Sequence, residues 1–163
     1  LSIQSLMTQF RRLIERLDRQ IQKHVRELVW WNDYRRCLSM PGSGPANAVA
    51  LVAAYHRGAF SSSDAFVAYL GLDIRLRESG RFKGKSKLSK QGEPELRRLL
   101  YCASQPARCH KRFAEYHQRL IEQGRSKIAA RVALARKLAR IAFTLMNRQQ
   151  YFEDRGQIHC AAP

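Results

Sequence analysis

From Leu1 to about Arg36 the apolar residues keep a seven-residue period, with Met7, Ile14, Ile21 and Leu28 on one heptad position and Ile3, Phe10, Leu17 and His24 on its partner. Gln, Arg, Lys, Glu and Asp fill the positions between. This pattern predicts a long amino-terminal coiled-coil helix over 1–36. Leu6 and Leu13 widen the stripe, which suits a helix that also lies against its own domain. His24, the polar member of the seam, is expected at its solvated, fading end. Trp30 and Trp31, beside an apolar seam, are expected to pack rather than to stack on bases.

The run Leu38-Ser39-Met40-Pro41-Gly42-Ser43-Gly44-Pro45 stops one helix and starts another. Ala46 to Tyr55 reads as a short helix. Ser61-Ser62-Ser63-Asp64 offers N-caps for a second short helix through Tyr69, which Gly71 ends. Leu72 to Gln91 is polar and rich in Gly and Lys, and it predicts a long loop or loose hairpin; loops of such length inside compact domains usually carry function. Helical periodicity resumes at Glu93, with Pro94 suited to a first turn. Further helices are expected over Cys109 to Gln123, closed by Gly124, and over Lys127 to about Arg148. After Tyr151 the chain turns polar and is expected to fray.

The fold class that follows is mainly α, a coiled-coil helix followed by a compact helical domain over 37–150. Within that domain the reading places a helix-hairpin-helix at about 38–55, a basic loop at about 73–92, a helical bundle at about 93–148, and a tail at 151–163.

Charge sharpens this picture. Thirty Lys and Arg against thirteen Asp and Glu leave a net charge of +17 over 163 residues, while apolar residues make up 45%. The chain therefore has material for a core and a surface that favours polyanions, nucleic acid first among them. No apolar run approaches the roughly 18 to 20 residues of a membrane span, and no signal peptide opens the chain, so cytoplasmic residence is the expectation. Cys37, Cys102, Cys109 and Cys160 form no C-x-x-C pair, which predicts reduced, mostly buried thiols rather than disulfides or zinc. The first residue is not Met and lies inside a helical pattern, from which a piece of a longer protein is expected.

Two segments carry candidate chemistry. Met40 to Tyr55 resembles a helix-hairpin-helix, in which a Pro-Gly-x-Gly turn exposes backbone N–H groups at a helix start to a DNA phosphate. Gly42 and Gly44 are the residues that such a role requires, and Ser43 stands where these hairpins usually carry an aliphatic residue. A purely structural hairpin is the competing account. Arg75, Arg77, Arg81, Lys83, Lys85, Lys87 and Lys90 surround Ser79, Ser86 and Ser89. As a solvated loop they would grip phosphates through counterion release. Alternatively one serine hydroxyl attacks a phosphodiester with the cations neutralising developing charge, a role for which local residues offer no clear base. The residues alone do not choose among the three serines.

The ordered blocks Ser39-Met40-Pro41-Gly42-Ser43-Gly44-Pro45, Phe60, Tyr69-Leu70-Gly71-Leu72, Arg77-Glu78-Ser79-Gly80, Leu88-Ser89-Lys90-Gln91-Gly92, Leu96-Arg97-Arg98-Leu99-Leu100-Tyr101 and Ala133 to Ile141 are similar to the carboxy-terminal domain of the IS-one-ten family of insertion-sequence transposases. The resemblance implies a serine that becomes joined to DNA, lying in the Glu-Ser-Gly block at Ser79. It implies an amino-terminal acidic domain holding magnesium and a guide RNA that selects target and donor. Arg77, Arg81, Lys83, Lys85, Lys87, Ser89, Lys90, Arg97 and Arg98 then become candidate nucleic-acid contacts. The sequence departs from the pattern at Ser43, at Asp73-Ile74 and in lacking the acidic domain. Its own carboxylates show no metal-holding arrangement, so no metal site is expected here. The expectation is a DNA-binding part of a transposase, paired through its coiled coil and inactive alone. The alternatives are a truncated transposase and a host helix-hairpin-helix protein, either of which would only bind nucleic acid.

Overall fold

A computed structural model describes residues 2–75, 78–79, 82–83, 87–89 and 91–154, with backbone alone at 75, 78, 79, 82, 83 and 87. The described chain is mainly helical: α1 (Ile3–Arg26), α2 (Trp31–Leu38), α3 (Pro45–His56), α4 (Ser63–Tyr69), α5 (Pro94–Ala107), α6 (Lys111–Glu122) and α7 (Lys127–Asn147). Local chemistry explains most boundaries. The Ser62 and Ser126 hydroxyls accept from the N–H groups of Ala65 and Ala129, satisfying donors that the helix starts leave open. Pro45 and Pro94 sit at first helical turns, where a missing N–H costs nothing.

The helix predicted over 1–36 ends earlier, at Arg26. Glu27 and Leu28 bond back to His24 and Val25, a tightened turn, and α2 sets off at Trp31 after a four-residue break. Tertiary packing overrides the heptad pattern here. Val25, Tyr34, Cys37 and Met40 enter the core, while Leu28 and Val29 are left exposed. Trp31 packs against the core, and Trp30 stacks on His56 with 4.9 Å between ring centroids.

α7 is the central element, contacting α2, α3, α4, α5 and α6. Leu134, Ala135, Leu138, Ala139 and Ala142 are buried on its inner face. Each large apolar side chain so buried contributes about 1.5–3 kcal/mol. α3 is apolar nearly all round and buries Ala48, Leu51, Val52 and Ala54 beneath α2 and α5. Among the apolar residues of α1, by contrast, only Val25 is buried and Ile21 partly so, while Ile3, Met7, Phe10, Ile14 and Leu17 face solvent.

The Gly- and Lys-rich segment is a hairpin of two nested antiparallel pairs. β1 (Ile74–Arg75) pairs with β4 (Lys87–Leu88), and β2 (Glu78–Ser79) pairs with β3 (Phe82–Lys83). The inner register sets Glu78 opposite Lys83 and Ser79 opposite Phe82.

The described part of the tail does not fray. Gln149, at φ 55, reverses the chain, and the Gln150 N–H bonds the Leu145 carbonyl across the end of α7. The Phe152 N–H then donates to Ser39 Oγ at 2.9 Å, and its ring packs against Phe113 and His110. A single aromatic residue supplies the apolar anchor in this otherwise polar stretch.

Candidate nucleic-acid interface

Between α2 and α3 the chain makes a tight turn in which the Ser43 N–H bonds the Met40 carbonyl, with Pro41 and Gly42 at its centre. Gly42 has φ 83, the left-handed value that a type II turn requires. A Cβ there would lie 2.4 Å from the Ala103 carbonyl oxygen and 2.7 Å from the Ala107 side chain. Gly42 therefore serves close approach to α5. Gly44 caps α3 in extended conformation, and a Cβ there would meet nothing within 4 Å. The Asn47 side chain donates to Ser43 Oγ, so Ser43, where an aliphatic residue was expected, makes a polar contact to the first turn of α3. Asp18 of α1 lines the shallow hollow beside this turn.

The hairpin is closed at its base by Ser89. Its hydroxyl donates to the Asp73 carboxylate, and its N–H donates to the Asp73 carbonyl at 3.0 Å. Ser79 lies in β2 with only Gly80 and Arg81 between it and Phe82 in sequence, next to the connection of the inner pair. Lys83 and Lys87 occupy β3 and β4. Arg77, Arg81, Lys85 and Lys90 lie outside the described residues.

Two further sequence candidates have protein partners. The Arg97 guanidinium donates to the Gly92 carbonyl at 2.7 Å, tying the foot of the hairpin to α5. Arg98 holds Glu95 through two of its nitrogens, Nε at 2.8 Å and Nη2 at 2.5 Å. That bond is the main reason the Glu95 carboxyl lies below its ordinary range and the Arg98 guanidinium above its own.

Several carboxylates lie within ion-pair distance of basic side chains. Asp33 pairs with Arg36 and His56, Asp64 with Arg140, Glu93 with Arg57 and Asp154 with His110. Among the described residues no group of three or more His, Cys, Asp or Glu gathers as metal ligands would. Among the described cysteines Cys37 is buried, whereas Cys102 and Cys109 are exposed, contrary to mostly buried thiols. Burial, with a smaller contribution from Asp33, pushes the Cys37 thiol up to about 12.

A cationic feature that periodicity did not reveal lies between α6, α7 and residues 148–153. This cleft of about 540 Å³ is lined by Arg112, Lys137, Arg140 and Arg148, with Tyr151 and Phe152 on the returning segment. Lys137 lies over the Tyr116 ring at 4.1 Å. Burial and the positive charges of Arg112 and Arg119 lower its pKa. The Arg136-Lys137 and Arg140 positions, set within an apolar helix, were the available sequence signal.

These features define a mainly helical, strongly basic domain carrying a Lys- and Arg-rich hairpin. Residues 34–118, from within α2 into α6, match the family model described as the transposase IS116/IS110/IS902 family. The chain is also 36% identical over 143 residues to a "Probable family 20 transposase" of Pseudomonas aeruginosa. That match covers 83% of this chain and 41% of the relative, so the chain spans less than half of the relative's length. The chain belongs to the IS116/IS110/IS902 family of transposases. Among the described residues no helix is long and apolar enough to cross a membrane.

Proposed function

We propose that this chain is the DNA-handling part of a transposase and that Ser79 is the nucleophile by which the whole enzyme joins itself to DNA during cutting and rejoining. The observation that carries the reading is the position of Ser79 in β2, beside the connection of a hairpin whose sequence is dense in Lys and Arg. In this reaction the Ser79 oxygen forms a bond to a phosphorus atom and a sugar oxygen is displaced. The serine proton passes to a base outside the described residues, and the departing oxygen takes up a proton. Arg77, Arg81, Lys83, Lys85, Lys87 and Lys90 hold the phosphates and offset the charge developing on the non-bridging oxygens. The open backbone at the start of α3, where Gly44 and Ala46 are exposed, adds a further phosphate contact that carries no sequence information.

The acidic, magnesium-holding part of the composite site belongs to the domain that the family resemblance implies, on the same polypeptide or on a partner protomer. A guide RNA supplies the choice of target and donor. The exposed stripe of α1 pairs protomers through a coiled coil.

The test uses the complete polypeptide with its acidic domain, the element's RNA and its DNA, run on a denaturing gel for protein bound covalently to DNA. An adduct formed by wild type and lost in Ser79→Ala supports the assignment. An adduct that survives the substitution, or none in either sample, leaves a module that only binds nucleic acid.

A further inference from the structure

The cleft between α6 and the end of α7 contains none of the residues that the sequence marks as nucleic-acid contacts, yet four cations line it. Arg112, Lys137 and Arg148 make no ion pair there. Arg140 pairs with Asp64, and Glu153 is the one carboxylate on the lining. Like charges held this close repel one another, and an anion seated among them relieves that repulsion.

The wall opposite α7 is built rather than incidental. Gln149 adopts the left-handed conformation that non-glycine residues rarely take, and the two bonds from Gln149 and Gln150 back to Met146 and Leu145 fix the reversal. Phe152 anchors the returning strand on the core and Ser39. The result stations Tyr151, 45% exposed, beside the cations, with the Arg35 guanidinium 5.7 Å from its ring centroid as a further cation at the site. An exposed aromatic ring next to a row of Lys and Arg is the arrangement that grips a single strand, the cations tracking phosphates while the ring receives a base. A cleft of about 540 Å³ is on the scale of a nucleotide or two.

The geometry points to a second nucleic-acid site in this cleft, one that takes single-stranded polynucleotide, with Arg112, Lys137 and Arg148 on the phosphates and Tyr151 under a base. It extends the polyanion-binding part of the function proposed above and does not depend on Ser79. The shared chemistry is a phosphodiester strand, and RNA and DNA are its two possible sources.

The test measures binding of the full chain to fluorescent 20-nucleotide mixed-sequence single strands of RNA and of DNA, and to a duplex, across a salt series. Arg112 and Arg148 are exposed, so Arg112→Gln/Arg148→Gln is expected to fold, which circular dichroism verifies. The double variant should lose about tenfold in single-strand affinity and about 1.4 in the slope of log affinity against log salt. Tyr151→Ala should lose several-fold with the slope unchanged. Loss in the RNA arm or the DNA arm supports the site and names the strand. Unchanged single-strand binding in folded double variants, or a loss confined to duplex, overturns it. Lys83→Gln/Lys87→Gln distinguishes this inference from the function proposed above. If only the hairpin variant loses binding, the cleft assignment fails and the hairpin reading stands; if only the cleft variants do, the reverse holds.

Discussion

Ser89 grips Asp73 twice, hydroxyl to carboxylate and N–H to carbonyl, across sixteen residues of sequence. The second bond continues the β1–β4 ladder by one step, and the first locks it. Ser89, read from the sequence as a nucleic-acid contact, therefore holds the base of the hairpin whose inner pair carries Ser79. Ser89→Ala leaves the carboxylate without its donor and should cost about 1–2 kcal/mol of local stability. Hydrogen exchange at Ile74 and Leu88 should rise several-fold, with the amides of α7 unchanged. Equal protection in variant and wild type would remove the clamp from the account.

The two glycines of the α2–α3 turn should respond differently to the same change. Gly42→Ala meets both a left-handed φ and the α5 backbone, and a loss of about 2–4 kcal/mol in urea unfolding is expected. Gly44→Ala meets open space and loses only a modest N-cap preference, roughly 0.5–1 kcal/mol. If α3 presents its N–H groups to phosphate, Gly44→Ala should also weaken duplex binding through the added methyl. Similar stability losses at both positions would contradict the packing described for Gly42.

Alkaline pH should destabilise the protein through Cys37. The thiol ionises near its ordinary value of about 9 in the unfolded chain and at about 12 when buried. Its contribution is complete below pH 9 and is lost as pH climbs through that window, by up to about 1.4 kcal/mol per pH unit. Tyr34, raised in the same direction by burial and then by Asp18, adds to the slope above its own ordinary value. Unfolding free energies at pH 8 and pH 10 should differ more in wild type than in Cys37→Ala. A thiol reagent should label Cys102 and Cys109 in the folded protein and spare Cys37.

The exposed stripe of α1 should set the oligomeric state. Phe10→Glu/Leu17→Glu alters two solvent-facing seam positions without touching the core. Sedimentation should show wild type associating and the variant as a monomer, with its thermal unfolding little changed in the concentration-independent part. A monomeric wild type would leave the stripe unpaired in this chain.

Much of the helical plan was legible because its signals are local. Pro94 and the serines before Asp64 mark helix starts by backbone chemistry, and Gly71 and Gly124 mark ends. The break after Arg26 was not legible, since Leu28 keeps the heptad and no Gly or Pro interrupts it; burial of Tyr34 and Cys37 decides it from a distance. Arg97 and Arg98 read as cations available to nucleic acid, whereas one bonds a carbonyl five residues away and the other a neighbouring carboxylate. The cationic cleft depends on the docking of Phe152, which no period announces. Ser79 came from the ordered blocks of the family, because Ser79, Ser86 and Ser89 are chemically equivalent to any local rule.

Beyond Leu17, α1 is an indexed shaft. It is keyed to the body at Asp18, Ile21 and Val25 and free along its stripe, so the junction between Leu17 and Asp18 sets the angle between the two. One residue inserted there would turn the stripe by about 100° and advance it about 1.5 Å, whereas seven would bring it round to within about 20° of where it began. Whatever grips the stripe is thereby handed a fixed bearing on the hairpin, and a single-codon insertion far from every basic residue would put that bearing out of true.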